Sequence, residues 1–125
     1  MLQAKSIAII GASNNRNKFG NKAVRAYLKK GYKVYPIHPL LETVEGIKAY
    51  KSVLDVPEDI DIASFYVPPS VGLKVIEEIV KKGIKEIYLN PGAESEELVM
   101  KAKNLGINVI QACSILAIGM RPTEL

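Results

Sequence analysis

Hydrophobic residues fall into five short runs separated by longer amphipathic segments. Several runs are apolar at consecutive positions, which is typical of strands buried on both faces of a sheet. The runs cover residues 6–10, 32–37, 61–67, 86–89 and 107–112. Between them the helical period predicts helices near 19–30, 70–82 and 95–105, and Ser52 is placed to cap a shorter helix near 52–56.

Three of these helical segments end on a glycine and pass almost at once into a strand. The glycines are Gly31, Gly83 and Gly106, and lysines precede each of them. Glycine adopts the left-handed conformation that closes a helix, and lysine complements the negative end of the helix dipole. Such alternation predicts an α/β, Rossmann-like three-layer fold with a five-stranded parallel sheet. We expect the strand order 3-2-1-4-5, within a single domain covering residues 1–125.

Composition and cysteine usage point to a soluble cytoplasmic protein. The chain is 48% apolar and 24% charged, with no apolar run near the ~20 residues that span a bilayer. The single cysteine, Cys113, cannot form an internal disulfide. We therefore expect no membrane partner and no nucleic-acid partner, and we leave open a protein partner or a homo-oligomer.

Charge is divided unevenly along the chain. Residues 1–51 contain ten Lys or Arg against two acids, a net of +8, whereas residues 52–125 contain seven against eleven, a net of −4. This asymmetry favours an anionic ligand for the first half. Solvated helix faces explain much of it equally well.

The segment GASNNRNKFG follows the first strand and is a candidate anion site. Gly11 allows a ligand to approach the backbone, while Ser13 and Asn14 suit a turn and offer polar groups. The next helix presents free N–H groups, and Arg16 and Lys18 add positive charge. The alternative is that Gly11 only permits a tight turn, since the G-x-G-x-x-G spacing is absent.

The other strand ends refine the ligand class. His38–Pro39 follows the second strand, where an NAD enzyme usually has an acid, so NAD is disfavoured. Pro68 and Pro69 end the third strand and would form a rigid apolar lip for a base. The turn Asn90–Gly92, read as Asn-Pro-Gly, follows the fourth strand.

Catalytic and metal-binding patterns are sparse. A single histidine excludes a His–Cys metal cluster and a Ser–His–Asp set with an independent base. Cys113 is interpreted as structural or reactive, without a decision between the two. We predict no catalytic residue and no metal site.

Five stretches, and the basic segment after the first, resemble the small stand-alone CoA-binding domain proteins. These proteins are related to the CoA-binding domain of the succinyl-CoA synthetase α subunit and of the ADP-forming acyl-CoA synthetases. The resemblance covers about residues 4–115. It rests on IIGAS, GYKVYPIHP, DIASFYVPP, GIKEIYLNPGAESEEL and GINVIQACSI.

The resemblance implies a coenzyme A site at the strand ends. Position by position it assigns the CoA phosphates to the first loop, the nucleotide pocket to the second strand end, the adenine to the third, and the pantetheine side to the fourth. The implied residues are Gly11, Ala12, Ser13, Arg16 and Lys18, then His38 and Pro39, then Val67, Pro68 and Pro69, and finally Asn90, Pro91 and Gly92. Asn14 joins the predicted site from the chemistry of the loop alone. His38 replaces the usual asparagine, and Gln111–Ala112 replaces a basic residue often found before the terminal cysteine.

Three functions remain as hypotheses. The related synthetases use a phosphorylated histidine from a further domain, and this sequence has no histidine after His38. We therefore expect a module that binds CoA or an acyl-CoA without catalytic activity of its own. The alternatives are a small NAD(P)-binding oxidoreductase and a non-catalytic CoA-binding subunit of an acyl-CoA synthetase complex.

Overall fold

The computed structural model describes residues 5–125, in which a parallel sheet lies between two layers of helices. The strands are β1 (Ser6–Ile10), β2 (Lys33–Ile37), β3 (Thr43–Val44), β4 (Ile47–Lys48), β5 (Ile62–Phe65), β6 (Glu86–Leu89) and β7 (Asn108–Gln111). The helices are α1 (Phe19–Lys29), α2 (Pro69–Lys82), α3 (Glu96–Asn104) and α4 (Ser114–Ala117), with 3₁₀ turns at Val53–Asp55 and Pro122–Glu124.

The main sheet has the order β2-β1-β5-β6-β7, and its neighbouring strands are all parallel. The predicted Rossmann-like α/β fold is confirmed. The predicted strand order is wrong, because the third main strand along the chain pairs with β1 and not with β2, which gives 2-1-3-4-5.

The outer edge of β2 is already occupied, which explains the difference. The Tyr50 N–H donates to the Pro36 carbonyl at 2.9 Å, and the His38 N–H donates to the Tyr50 carbonyl at 2.9 Å. Tyr50 thereby forms a one-residue parallel bridge with Ile37. With this edge covered, β5 adds on the free side of β1.

The two helical layers bury opposite faces of the sheet. Along β1, Ile7 and Ile9 pack on the side of α1 and α4, and Ala8 and Ile10 pack on the side of α2 and α3. All four side chains are buried, as expected of a central parallel strand. The predicted three-layer arrangement is confirmed.

Local sequence sets the element ends much as predicted. The Ser95 hydroxyl accepts from the Leu98 N–H at the start of α3, and the Ser52 hydroxyl accepts from the Leu54 N–H, capping a 3₁₀ turn in place of the predicted short helix. Gly31, Gly83 and Gly106 follow their helices with φ of +84°, +87° and +81°. These are the left-handed conformations expected at helix ends.

Two elements were not predicted from the pattern. The stretch 38–51, for which the pattern predicts neither a strand nor a helix, contains the hairpin β3–β4, and α4 follows Cys113. The hairpin turn has positive φ at both central residues, Glu45 (+49°) and Gly46 (+78°), as a type I′ turn requires. None of the helices in residues 5–125 has the length and apolar composition needed to cross a membrane.

Candidate functional site

A cleft of about 960 Å³ opens at the carboxyl ends of β1, β2 and β5. The chain leaves β1 towards β2 and later returns to the opposite side of β1, so the switch point lies at this edge, where open α/β sheets bind ligands. The cleft is lined by Ile10, Gly11, Ala12, Ser13, Asn17, Lys18, Phe19, Gly20, Ile37, His38, Pro39, Lys51, Val53, Tyr66, Val67, Pro68, Val71, Val75, Glu78, Pro91, Gly92 and Ala93.

Two glycines bring the start of α1 against the end of β1. A β-carbon on Gly20 would lie 2.2 Å from the Gly11 carbonyl oxygen, and one on Gly11 would lie 2.8 Å from the Tyr66 carbonyl oxygen. Gly11 also has φ +88°. Both positions therefore require glycine, and the floor of the cleft is backbone.

Some backbone N–H groups of this loop donate hydrogen bonds within the protein, and others have no protein acceptor. Gly11 and Ala12 both donate to the Ile37 carbonyl, at 3.1 and 3.2 Å, which joins the ends of β1 and β2. Among residues 5–125, the N–H groups of Ser13, Phe19 and Gly20 find no acceptor. The positive end of the α1 dipole and its free donors thus face no protein partner, a combination that suits an anion.

Two lysines supply positive charge to the cleft. Lys18 is the residue immediately before α1, and Lys51 follows the bridge residue Tyr50. Because Tyr50 runs parallel to Ile37, Lys51 emerges beside His38 at the same edge of the sheet. Lysine and a helix N-terminus together attract phosphate groups.

The third basic residue of the loop, Arg16, is directed elsewhere. Its guanidinium Nη2 lies 3.5 Å from Glu45 Oε1 on the β3–β4 turn, and it does not line the cleft. Asn14 also faces the hairpin, since its Nδ2 donates to the Thr43 carbonyl at 3.2 Å. The hairpin therefore holds the outer side of the loop.

His38 closes the turn that follows β2. Its Nδ1 accepts from the Leu40 N–H at 3.0 Å and from the Leu41 N–H at 3.2 Å. Nε2 is thus the ring nitrogen left for a further partner. His38 and Pro39 both line the cleft.

Asn90 has a structural role in the described part of the chain. Its Nδ2 donates to Ser64 Oγ and to the Phe65 carbonyl, both at 2.8 Å, and its Oδ1 accepts from the Ser114 N–H at 2.8 Å. The side chain is buried and does not line the cleft. Through these hydrogen bonds Asn90 connects the ends of β5 and β6 to the start of α4.

Tyr66 connects this buried network to the cleft. Its hydroxyl lies 2.8 Å from Ser114 Oγ, which in turn lies 2.7 Å from Ser64 Oγ, while Tyr66 itself lines the cleft. Burial raises the pKa of the Tyr66 phenol to about 12, and the hydrogen bond with Ser114 opposes part of that rise. Cys113, half-buried and next to Ser114, packs in the same layer as Tyr66.

The structure brings together ten of the fourteen residues predicted for the site. These are Gly11, Ala12, Ser13, Lys18, His38, Pro39, Val67, Pro68, Pro91 and Gly92. Asn14, Arg16 and Asn90 have the protein partners described above, and Pro69 is the first residue of α2. None of these four lines the cleft.

The sequence reasoning missed several lining residues. Tyr66 lies between β5 and the recognised Val67, so its place at a strand end was an available signal. Lys51 carried no such signal, because its position depends on the pairing of Tyr50 with Ile37. Among residues 5–125, no group of three or more His, Cys, Asp or Glu side chains is arranged to hold a metal ion.

Comparison with known proteins identifies the family of the chain. Residues 5–120 match the family model described as the CoA binding domain. An ADP-forming acetate–CoA ligase of Methanocaldococcus jannaschii is 44% identical over 105 residues, which cover 81% of this chain and 15% of the ligase. The chain spans between 15% and 26% of the length of three curated ADP-forming ligases that it matches.

Solved structures agree with the sequence matches. A conserved hypothetical protein from Pyrococcus furiosus superposes with a TM-score of 0.82 at 38% identity, covering 90% of this chain and 98% of that one. The dinucleotide-forming acetyl-coenzyme A synthetase 1 of Ca. Korarchaeum cryptofilum, in complex with phosphate and ADP, superposes with a TM-score of 0.76 at 36% identity. That match covers 86% of this chain and 25% of the synthetase.

These matches confirm the resemblance found in the sequence. The family model covers most of the chain, the curated ligases named above match it over part of their length, and a region of the Korarchaeum synthetase has the same fold. The chain belongs to the family of CoA binding domains.

Proposed function

We propose that residues 1–125 form one module that binds coenzyme A or an acyl-CoA in the cleft and has no catalytic activity of its own. The observation that carries the proposal is the free anion-binding edge: the Ser13, Phe19 and Gly20 N–H groups beside Lys18 at the start of α1. It lies at the switch point of a CoA binding domain.

The residues present fit the phosphates of CoA. Gly11 and Gly20 let the start of α1 pack against the end of β1, because a β-carbon at either position would meet protein backbone. This packing brings the free N–H groups to the edge of the cleft. Lys18 and Lys51 would balance the phosphate charge. No covalent step is required of these residues, which would bind and orient the ligand.

The apolar part of the cleft fits the rest of the molecule. Val67 and Pro68 form one side, and Val53, Val71 and Val75 continue the apolar surface. We propose that the base lies against the valine–proline edge, as the resemblance implies, and that Pro91 and Gly92 border the pantetheine side. Apolar walls with few, well-placed polar groups are typical of cofactor sites.

Isothermal titration calorimetry with CoA, dephospho-CoA, NAD and NADP tests the proposal. We expect CoA to bind with a Kd well below 1 mM and more tightly than NAD or NADP; 1 mM corresponds to only about 4 kcal/mol. Lys18→Gln should weaken binding, whereas Lys29→Gln, the same charge change at the far end of α1, should not. Absence of CoA binding below millimolar concentrations contradicts the proposal, and tighter binding of NADP supports the oxidoreductase alternative.

A second candidate is that the module supplies its CoA site to separately encoded catalytic chains. It is favoured by the match to one quarter of the Korarchaeum synthetase, in which a domain of this fold is part of a larger enzyme. Affinity purification of the tagged chain from its native cells, followed by mass spectrometry, should then recover a nucleotide-binding synthetase subunit in stoichiometric amount. Recovery of the chain alone, with CoA bound, supports the stand-alone module.

A further inference from the structure

The β3–β4 hairpin places an acid against the anion-binding loop. Glu45, at the hairpin turn, has φ +49°, a conformation that L-residues other than Asn and Asp rarely adopt. The carboxylate accepts from Asn21 Nδ2 at 3.0 Å through one oxygen and lies 3.5 Å from Arg16 Nη2 through the other.

The two contacts of this carboxylate differ in strength. Asn21 is fully buried and its amide is fully used: Nδ2 also donates to the Ser13 carbonyl at 2.9 Å, and Oδ1 accepts from Arg25 Nε at 2.7 Å. The Arg16 contact is longer than an ordinary hydrogen bond, and the Arg16 side chain is 65% exposed. Glu45 is thus fixed by Asn21, while Arg16 is held only loosely.

Arg16 lies beside the cleft without lining it. Asn17, the next residue, and Ser13, three residues earlier, both line the cleft, and the guanidinium ends a long flexible side chain. The pair is weak because its guanidinium is exposed and screened by solvent, so an anion of higher charge competes for Arg16 effectively. If Arg16 moves away, the Glu45 carboxylate still has a hydrogen-bond donor, because Asn21 Nδ2 donates to it.

We propose that Glu45 sets the affinity of the cleft for phosphorylated ligands by holding Arg16 on the hairpin, where the ligand must compete for it. The inference rests on the proposed function in taking the cleft as the anion site. Glu45 thus lowers the affinity of every anion that draws Arg16 into the cleft, and a ligand with several phosphates overcomes this competition most easily. Coenzyme A, with a diphosphate and a further ribose phosphate, is such a ligand.

The test measures Kd for CoA and for inorganic pyrophosphate by calorimetry at low salt in the full chain. Glu45→Gln keeps an oxygen for Asn21 and removes the charge, and we expect both ligands to bind about three- to tenfold more tightly. Glu45→Asn, which tolerates the positive φ, should show the same gain if the glutamine variant folds poorly. Glu42→Gln, an exposed acid before β3, is the control and should leave both constants unchanged.

The double variant Arg16→Gln/Glu45→Gln separates the mechanism from a simple change of local field. The gain in affinity should disappear in the Arg16→Gln background. A gain that persists there overturns the inference, as does unchanged or weaker binding by both Glu45 variants.

If the wild type fails to bind CoA while pyrophosphate still responds to Glu45→Gln as expected, the proposed function fails and this inference stands. If CoA binds and the Glu45 variants leave its Kd unaltered, only this inference fails. If neither probe binds any variant, both fail.

Discussion

Gly20 shows at a single residue how the site depends on backbone contact. A β-carbon there would meet the Gly11 carbonyl oxygen at 2.2 Å, and neither atom belongs to a side chain that can move aside. The helix and the loop would have to separate. Because the free N–H groups lie on both sides of this contact, stability and ligand affinity are linked at Gly20.

We expect Gly20→Ala to lower the free energy of unfolding by about 3 kcal/mol, the upper end of the cost of overpacking, and to weaken CoA binding at least tenfold. Gly31→Ala is the matched control: its β-carbon meets nothing within 4 Å, and only its positive φ opposes alanine, at a cost of about 1 to 2 kcal/mol. Urea unfolding and calorimetry measure both effects. Equal CoA affinity in the two variants would show that the glycine contact does not shape the site.

Asn90 is the second residue whose environment decides its role. The sequence suggested a turn residue near the ligand, but the structure gives all its polar atoms protein partners. Asn90→Ala would leave the buried Ser114 N–H without its acceptor, at a cost of about 1 to 3 kcal/mol per unpaired group.

We therefore predict that Asn90→Ala lowers the free energy of unfolding by at least about 2 kcal/mol, which urea unfolding measures. Asn104→Ala, at an exposed position at the end of α3, should change it by no more than about 0.5 kcal/mol. If the two variants are equally stable, the buried network does not hold the strand ends together.

At the scale of elements, α4 is joined to the end of β5 through Tyr66 and Ser114. The Tyr66 pKa is raised to about 12 in the folded chain, against about 10 in an unfolded one. Below pH 10 both states keep the proton. Between pH 10 and 12 the unfolded state loses it first, so the stability associated with Tyr66 is lost as the pH rises through this range.

Tyr66→Phe should accordingly make the free energy of unfolding fall less steeply between pH 10 and 12. The slope against pH measures the number of protons released on unfolding, and the variant should release up to one proton fewer. Tyr35, whose pKa burial also raises to about 12, keeps part of the alkaline dependence in the variant. Urea titrations at pH 9, 10, 11 and 12 give the slopes. Identical slopes for wild type and variant would mean that Tyr66 titrates normally.

The elements themselves followed from local signals, whereas their arrangement did not. The β1 and β6 runs and the glycines after α1, α2 and α3 marked boundaries closely, because hydrophobic period and helix caps are local. Strand order is decided by which edge of β1 or β2 remains free, and the bridge of Tyr50 to Ile37 has no local signature. The turn Glu45–Gly46 lacks the Asn-Gly or Asp-Gly pattern that announces a hairpin.

In the candidate site, too, some positions follow from local sequence and others depend on tertiary contacts. Residues directly at strand ends, such as Gly11, His38 and Val67, were predictable because parallel strands bring their carboxyl ends to one edge. Arg16 and Asn14 belong to the same loop, yet their side chains are held by the hairpin. Side-chain direction depends on tertiary contacts that a one-dimensional pattern does not contain.

For the whole molecule, charge is the distinguishing feature. The basic first part of the chain, +8 over residues 1–51, supplies Lys18 and Lys51 to the cleft, and the acidic remainder supplies much of its apolar wall. Coulomb attraction to a multiply charged ligand then depends on ionic strength, because the screening length falls from about 10 Å at 0.1 M salt to about 3 Å at 1 M.

We predict that the Kd for CoA rises about tenfold between 0.1 and 1 M NaCl, and that Lys18→Gln reduces this dependence. Calorimetry across a salt series measures it, with Lys29→Gln as the control that should keep the wild-type dependence. A Kd independent of salt would assign the affinity to apolar contacts alone.

Two-dimensional ¹H–¹⁵N NMR of the 125-residue chain shows most directly whether CoA binds in this cleft. We expect CoA to shift the amide signals of Ser13, Phe19 and Gly20 most strongly, together with that of Val67 at the opposite wall. Signals on the exposed faces of α2 and α3 should stay in place. Absence of shifts at millimolar CoA, or shifts confined to those helices, would contradict the claim that this cleft is the CoA site.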